Sequence, residues 1–404
     1  MEFERLYSAT AQRLQPSIIR ALLKLVQQPG IISLAGGTPD SNLFDLGLYA
    51  KLAEQAASGQ GRLSLQYGET QGWKPLREQL AAYMAGRGVS VTPEQVLITT
   101  GSQQGIDLLA RLFLDPGDCV AMEEPGYLGA ITAFRAFGAD IVSLPLRGAE
   151  GLDPAEAEAA LQAAAKAGKK PKLLYLTPTY QNPTGATLTP ERRAKVIEVA
   201  QRHGMLVVED DPYGEISFNG APPKPMMAYD LGGQTVFLGS FSKMSVPGLR
   251  VGWMAGPAAL IQKAAVAKES ADVCSSVLSQ SIAALFLEGG HLKATLPKLI
   301  GAYHARRDAL AKALAEELPG GSKLRVPEGG FFLWADLPPD MDTQACFQEA
   351  IDAGVAYVPG AVFHATPGAG RHTLRFSFCA VEEAKLIEGA QRLGKVLQRH
   401  WSNG

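Results

Sequence analysis

The stretch GSFSKMSVPGLRVGW, residues 239 to 253, sets three serines, a lysine, a proline and an arginine between two apolar runs. It follows TVFLG (235–239), which reads as a buried strand. A chain that needed only a reversal would use one or two Gly, Asn or Pro residues. Here Lys243 and, seven residues later, Arg250 make the turn cationic, so an anion is expected against it. Ser240, Ser242 and Arg250 offer two hydroxyls and a planar guanidinium fork, a donor set that matches phosphate. Lys243, held among short side chains, has the setting of a Schiff-base amine, because burial and neighbouring cations lower a lysine's pKa. Taken alone, a loop lysine is more often simply solvated.

Outward from that turn, strand-like runs alternate with helix-period segments. QVLITTG (95–101) precedes SQQGIDLLARLFL, DCVAMEEPG (118–126) precedes YLGAITAFRAF, and ADIVSLPL, PKLLYLTP, GMLVVEDD and QTVFLGS follow, several separated by helices such as TPERRAKVIEVAQRHG. Short, doubly buried strands alternating with helices predict a mostly parallel sheet covered on both faces, an α/β architecture. Such sheets bind ligands at the carboxyl ends of their strands, where Gly, Pro, Ser and Asn cluster in this chain. After about residue 285 the pattern changes: long helical stretches flank GGFFLWADL, GVAYVPG and TLRFSF. The division expected is an N-terminal segment (1–45) that joins the small domain and covers the substrate site, a large domain (46–285) and a small α+β C-terminal domain (286–404).

Bulk properties narrow the function classes. At 404 residues about two domains are expected. A hydrophobic content of 46% with 19% charged residues is globular, and a formal charge of -2 gives no basic surplus for nucleic acid or anionic lipid. Charges near the start, and no long apolar run, point to a cytoplasmic protein with no membrane partner. Cys119, Cys274, Cys346 and Cys379 are scattered without ligand spacing, so neither disulfides nor a metal site is indicated.

Other strand ends supply what a phosphate-bearing pyridine aldehyde requires. TTGSQQG is a strand followed by Gly101 and a helix with Ser102 as its expected N-cap, a natural anion site. A phosphate and a lysine amine in one site suggest pyridoxal phosphate. Its pyridine nitrogen needs a carboxylate, and VVEDDPYG offers Asp210 with Tyr213 three residues on. Asn182, in PTYQNPTG, can donate to the ring's phenolic oxygen, and Tyr127, in EEPGYLG, can cover the ring. Each has a plain alternative: a helix cap, a core tyrosine, an Asn-Pro turn. Together, several strand ends each present a group that one cofactor needs.

SFSK with Arg250 downstream, NPTG, DDPY and the late RFSF resemble the fold-type I pyridoxal-phosphate aminotransferases of classes I and II. Lys243 lies 33 residues after Asp210 and 61 after Asn182, spacings similar to that family's. Within it, SIIRALLKL, SLAGGTPD, LQYGETQG, TTGSQQG and PGLRVGW are most similar to the 2-aminoadipate and kynurenine aminotransferase group. The resemblance implies a seven-stranded, mostly parallel sheet in the large domain. It implies that Lys243 carries the cofactor covalently, Asp210 pairs with the pyridine nitrogen, and Asn182 and Tyr213 hold the phenolic oxygen. Ser102, Gln103, Ser240, Ser242 and Arg250 would surround the phosphate, with Tyr127 over the ring. Tyr67 would come from the neighbouring subunit of a homodimer. Tyr180 and Gln181 stand where the family varies, which leaves side-chain selectivity open.

Arg375 in LRFSF is the candidate for the substrate's α-carboxylate, since a guanidinium binds a carboxylate through two parallel hydrogen bonds. Gly37 in LAGGTPD would let the backbone approach the substrate. Arg20 could reach a distal carboxylate, although on its helix a solvated arginine is the plainer reading. The activity implied is transfer of the amino group of a 2-aminoadipate, aromatic or aliphatic amino acid to a 2-oxo acid, expected to be 2-oxoglutarate, in a ping-pong cycle. Two alternatives stay open: the same cofactor fold catalysing β-elimination or decarboxylation, and a cofactor-sensing transcription regulator lacking its DNA-binding module. For the latter no DNA-binding module is expected, since family-like sequence begins by residue 16.

Overall fold

A computed structural model of the chain describes residues 3–14, 30–59 and 63–402. The strands in chain order are β1 Ile32–Ser33, β2 Val96–Thr99, β3 Cys119–Glu124, β4 Asp140–Pro145, β5 Pro171–Leu176, β6 Leu206–Asp211, β7 Thr235–Ser240, β8 Gly252–Ala255, β9 Lys323–Arg325, β10 Phe332–Asp336, β11 Val355–Ala356, β12 Val358–Pro359 and β13 Thr373–Ser377.

Seven of them form one sheet in the order β2-β8-β7-β6-β5-β3-β4. Neighbours are parallel throughout the β7 to β4 half, and β8 runs antiparallel to both β2 and β7. The sheet is thus mostly parallel, and β2, β7 and β8 are buried at every position, as continuous apolar strands covered on both faces should be. One face packs on helices Ser102–Phe113 and Ala258–Asp272 through Ile106, Leu109, Ile261 and Ala264. Pro190–Arg202 packs on the other face through Val196 and Ile197. Each of the larger side chains among these, the isoleucines, leucine and valine, contributes roughly 1.5–3 kcal/mol by leaving water. The helix Pro190–Arg202 starts where the sequence signals: Thr189 Oγ1 accepts from Arg192 N at 3.3 Å, with Pro190 in the first turn.

A second sheet, β12-β13-β10-β9, is antiparallel and shares a core with helices His291–Glu317 and Glu383–Ser402 through Leu310, Leu374 and Leu393. The N-terminal β1 pairs in parallel with β11, Ile32 opposite Val355, and Ile32 and Leu34 are buried in that same core. Leu34 to Asp40 therefore enter the molecule beside β13 and run toward the carboxyl ends of the large sheet. Among the described residues no helix is long and apolar enough to cross a membrane.

Candidate active site

The registers of the large sheet bring its strand ends together. Gly252 stands opposite both Thr99 and Ser240, while Asp210 stands opposite Leu238 one strand over. The turns after β2, β6 and β7 consequently converge on one cavity of about 650 Å³. Twelve of the residues singled out from sequence line it: Gly37, Ser102, Gln103, Tyr127, Asn182, Asp210, Tyr213, Ser240, Ser242, Lys243, Arg250 and Arg375. Tyr67 does not; it is 81% exposed, beside Ser64–Gln66 and the loop from Cys274 to Leu278. Arg20 lies outside the described residues.

Lys243 sits in the short helix Phe241–Met244, whose N-cap Ser240 accepts from Ser242 N at 3.1 Å. Its Nζ donates to Gly37 O at 2.7 Å and lies 5.4 Å from the centre of the Phe331 ring. Burial pulls the ammonium down to about 8, and the Arg250 and Arg375 charges act in the same direction. Gly37 is where the backbone must come close: a Cβ there would stand 2.6 Å from Phe332 Cζ.

At the other side of the cavity, Gly101 rather than Ser102 is the N-cap of helix Ser102–Phe113, with φ 74° and ψ 168°. The sequence reading is corrected here by one position. A serine side chain does not cap this end, because the chain enters it in a conformation that excludes a side chain. A Cβ on Gly101 would also stand 2.6 Å from Arg250 Nη2. Arg250 itself has φ 53° and ψ 38°, and its guanidinium donates to Thr100 O at 3.3 Å and to Ser242 Oγ at 3.4 Å. Tyr127 Oη donates to Gln103 Oε1 at 3.1 Å, tying the start of helix Leu128–Ala136 to this turn.

Asp210 is almost fully buried, and burial pushes its carboxyl up to about 7. Tyr175 Oη donates to Asp210 Oδ2 at 2.6 Å, whereas Oδ1 has no hydrogen-bond partner among the described residues. Tyr175 was missed from sequence. Its signal was a phenol in PKLLYL, a strand read as doubly buried, where a hydroxyl must find an acceptor. Tyr213 packs edge-on to Phe331 and Phe332, and burial raises its phenol strongly.

Arg375, on β13, is buried between the rings of Phe332 and Phe363, at 4.1 and 4.8 Å from their centres. Its Nη2 donates to Ala35 O at 2.6 Å and its Nη1 to Asn182 Oδ1 at 2.9 Å. The Nε has no hydrogen-bond partner among the described residues, and desolvation lowers this guanidinium to about 10. Among the described residues no carboxylate pairs with it, which suits this side of the cavity to an anionic ligand.

These features test whether pyridoxal phosphate suits the cavity. A phosphate meets the donors around Gly101, Ser242 and Arg250, in a cradle that a single Cβ would block. A protonated ring nitrogen gives the orphaned Asp210 Oδ1 a donor, and an aldehyde suits an amine of lowered basicity. The residues present fit the group.

The family described as "Aminotransferase class I and II" matches residues 30–393. The aromatic-amino-acid aminotransferase 1 of Thermococcus litoralis is 41% identical over 399 residues, covering 98% of this chain and 95% of its own. The kynurenine aminotransferase of Pyrococcus horikoshii, crystallised in complex with PMP and with KYN and KYA as substrate and product, superposes with a TM-score of 0.94 at 40% identity, over 99% of this chain and 98% of its own. The α-aminoadipate aminotransferase LysN of Thermus thermophilus, complexed with N-(5'-phosphopyridoxyl)-L-leucine, gives a TM-score of 0.90 at 35% identity over 100% of both chains. Sheet order, cavity chemistry and these likenesses agree, and the chain belongs to the class I and II aminotransferases, as a pyridoxal-phosphate-dependent enzyme of fold type I.

Proposed function

We propose that this aminotransferase takes the amino group of a 2-aminoadipate, aromatic or aliphatic L-amino acid and passes it to 2-oxoglutarate in a ping-pong cycle, with Lys243 as the covalent anchor of its cofactor. The observation that carries the reading is a single cavity holding an amine of lowered basicity, a buried carboxylate with a vacant oxygen and a buried, unneutralised arginine. Asp210 would pair with the pyridine nitrogen, Asn182 and Tyr213 with the phenolic oxygen, and Tyr127 would lie over the ring. Ser102, Gln103, Ser240, Ser242 and Arg250 would hold the phosphate. When bound, pyridoxal phosphate supplies an electron sink for the pair released at Cα.

The chain's own residues do the rest. Arg375 binds the α-carboxylate and fixes the substrate's orientation, with Asn182 and Ala35 O holding its guanidinium still. Lys243 Nζ, when free, takes the proton from Cα as general base and, as general acid, would deliver it to the cofactor's former aldehyde carbon. A neutral amine is needed for that, and burial favours one. Phe331, Phe332 and Phe363 line this side with hydrocarbon and exclude water from the charges.

The organisation goes with the reading: a large unit over 46–285, a small one over 286–404, and 1–45 closing on the substrate site, in a cytoplasmic homodimer with shared active sites. Support for the dimer comes from Leu63, Leu65 and Tyr67, apolar side chains 69%, 69% and 81% exposed on one short stretch, which a second subunit would cover. A donor panel against 2-oxoglutarate, reading glutamate formed, tests the function. Glutamate formation from 2-aminoadipate, aromatic or aliphatic donors is expected. Release of ammonia with pyruvate, or of an amine, with no glutamate would overturn it.

A further inference from the structure

Lys268 is fully buried in helix Ala258–Asp272, and its Nζ donates to Asp272 Oδ1 at 2.7 Å. An ion pair at this helical spacing is ordinarily a surface device of small worth. Removing the partner of a buried ammonium is costly, and the partner here, Asp272, is bonded to a second helix as well.

The bonds run on from there. Asp272 Oδ2 accepts from Gln104 Nε2 at 2.8 Å, and Gln104 Oε1 accepts from Thr100 N at 2.7 Å. Thr100 O in turn accepts from Arg250 Nη2 at 3.3 Å, and Thr100 Oγ1 lies 3.3 Å from Ser275 Oγ. The order of charges sets the direction of every bond. A carboxylate accepts only, so it turns the Gln104 amide nitrogen toward itself and the amide oxygen toward the Thr100 N–H. Without Asp272 the amide can flip and oppose one N–H to another. The residue after Asp272 is itself unusual: Val273, β-branched, stands at φ 61° and ψ −60°, beyond the helix end and two residues before Ser275. Strain of that kind persists where surrounding contacts impose it.

We propose that Gln104, Asp272 and Lys268 are positioning residues that hold the Thr100–Gly101 turn, and through it Arg250, in the geometry that binds the cofactor's phosphate. The inference rests on the reading that this turn takes the phosphate. None of the three touches the pyridine side of the cavity, so their effect is confined to one end of the ligand.

The test compares pyridoxal phosphate with pyridoxal, which lacks the phosphate, by titrating the cofactor-free full chain and following absorbance and tryptophan fluorescence. The wild type binds pyridoxal phosphate the more tightly. Gln104→Met and Lys268→Met weaken pyridoxal phosphate about tenfold, the scale of one charge-assisted hydrogen bond, and leave pyridoxal unchanged. The double variant Gln104→Glu with Asp272→Asn reverses donor and acceptor across their bond while keeping the acceptor for Thr100 N, and it recovers most of the loss. Should Lys268→Met fail to fold, the Gln104 variants, at a partly exposed position, carry the test. Equal losses for both ligands, or none for either, overturn the proposal. A wild type that does not distinguish the two ligands would overturn the phosphate reading itself and this inference with it.

Discussion

Arg375 Nη1 donates to Asn182 Oδ1 at 2.9 Å, joining β13 of the small sheet to the loop after β5 of the large one. The same guanidinium reaches Ala35 O at 2.6 Å, so three separate segments meet on one side chain. Replacing it with lysine keeps a charge but loses the planar fork and both ring contacts. Arg375→Lys is expected to raise KM for the amino acid roughly tenfold to a hundredfold, the cost of one or two charge-assisted bonds, with the cofactor's absorbance retained. Steady-state kinetics with a fixed acceptor checks this.

Asp210 supplies a pH dependence. Its carboxyl titrates near 7 in the cofactor-free protein, against about 4 for an unfolded aspartate. Between those values the native state holds a proton that the unfolded state has released, so this group makes the cofactor-free protein less stable as pH rises through the window. Asp210→Asn removes the effect: its melting temperature relative to wild type should climb between about pH 4 and 7. Tyr175→Phe takes away a bond that lowers the same carboxyl, so it should move the upper end of that window further up. Melting curves across pH, without cofactor, measure both.

Lys243 acts in the opposite sense. Its ammonium titrates at about 8, below the value of about 10.4 for an unfolded lysine, so the native state binds fewer protons between those values and gains stability as pH rises through them. Below pH 8 the buried charge is a standing penalty. Lys243→Met should therefore stabilise the cofactor-free chain at pH 7 while lowering turnover by at least about a hundredfold, the usual share of a general base. Calorimetry and product assays on the same preparation read the two effects.

Tyr67 tests the subunit arrangement. If it serves a neighbour's cavity, a mixed dimer of Tyr67→Ala and Lys243→Ala chains contains one site with both lesions and one with neither. Co-refolded or co-expressed mixtures should then show activity that neither parent has. No recovery, with mixed dimers demonstrated by differential tags, would mean that Tyr67 does not act across the interface.

Much of the site was legible because several candidates sit at or just past the end of a strand, where a doubly buried apolar run stops abruptly at a polar residue, although Arg375 lies in the middle of β13. ITTGS, VVEDD and VFLGSFSK announce both the strand and its functional end, and Thr99, Asp210 and Ser240 prove to be at or one residue from those ends. The polarity of the helix start at Gly101 was misread by one residue because capping statistics favour serine, whereas a positive φ and the nearby guanidinium require glycine. The antiparallel β8 was not anticipated: four residues beginning with glycine carry no alternation. The pairing of β1 with β11 joins two residues to two others more than three hundred positions away, and only the shared core reveals it. Gln104 and Lys268 look like ordinary helix-surface residues in sequence, and the burial of Lys268 and the bond from Gln104 to the Asp272 that Lys268 also holds exist only once two helices are packed together.

Borohydride trapping tests most directly whether Lys243 is the covalent anchor of the cofactor. Protein reduced as isolated, digested with trypsin and mapped by mass spectrometry should carry a phosphopyridoxyl group on Lys243, with cleavage blocked there so that the fragment runs on to Arg250. An unmodified Lys243 in a preparation that shows the cofactor's absorbance, or the group found on another lysine, would contradict it.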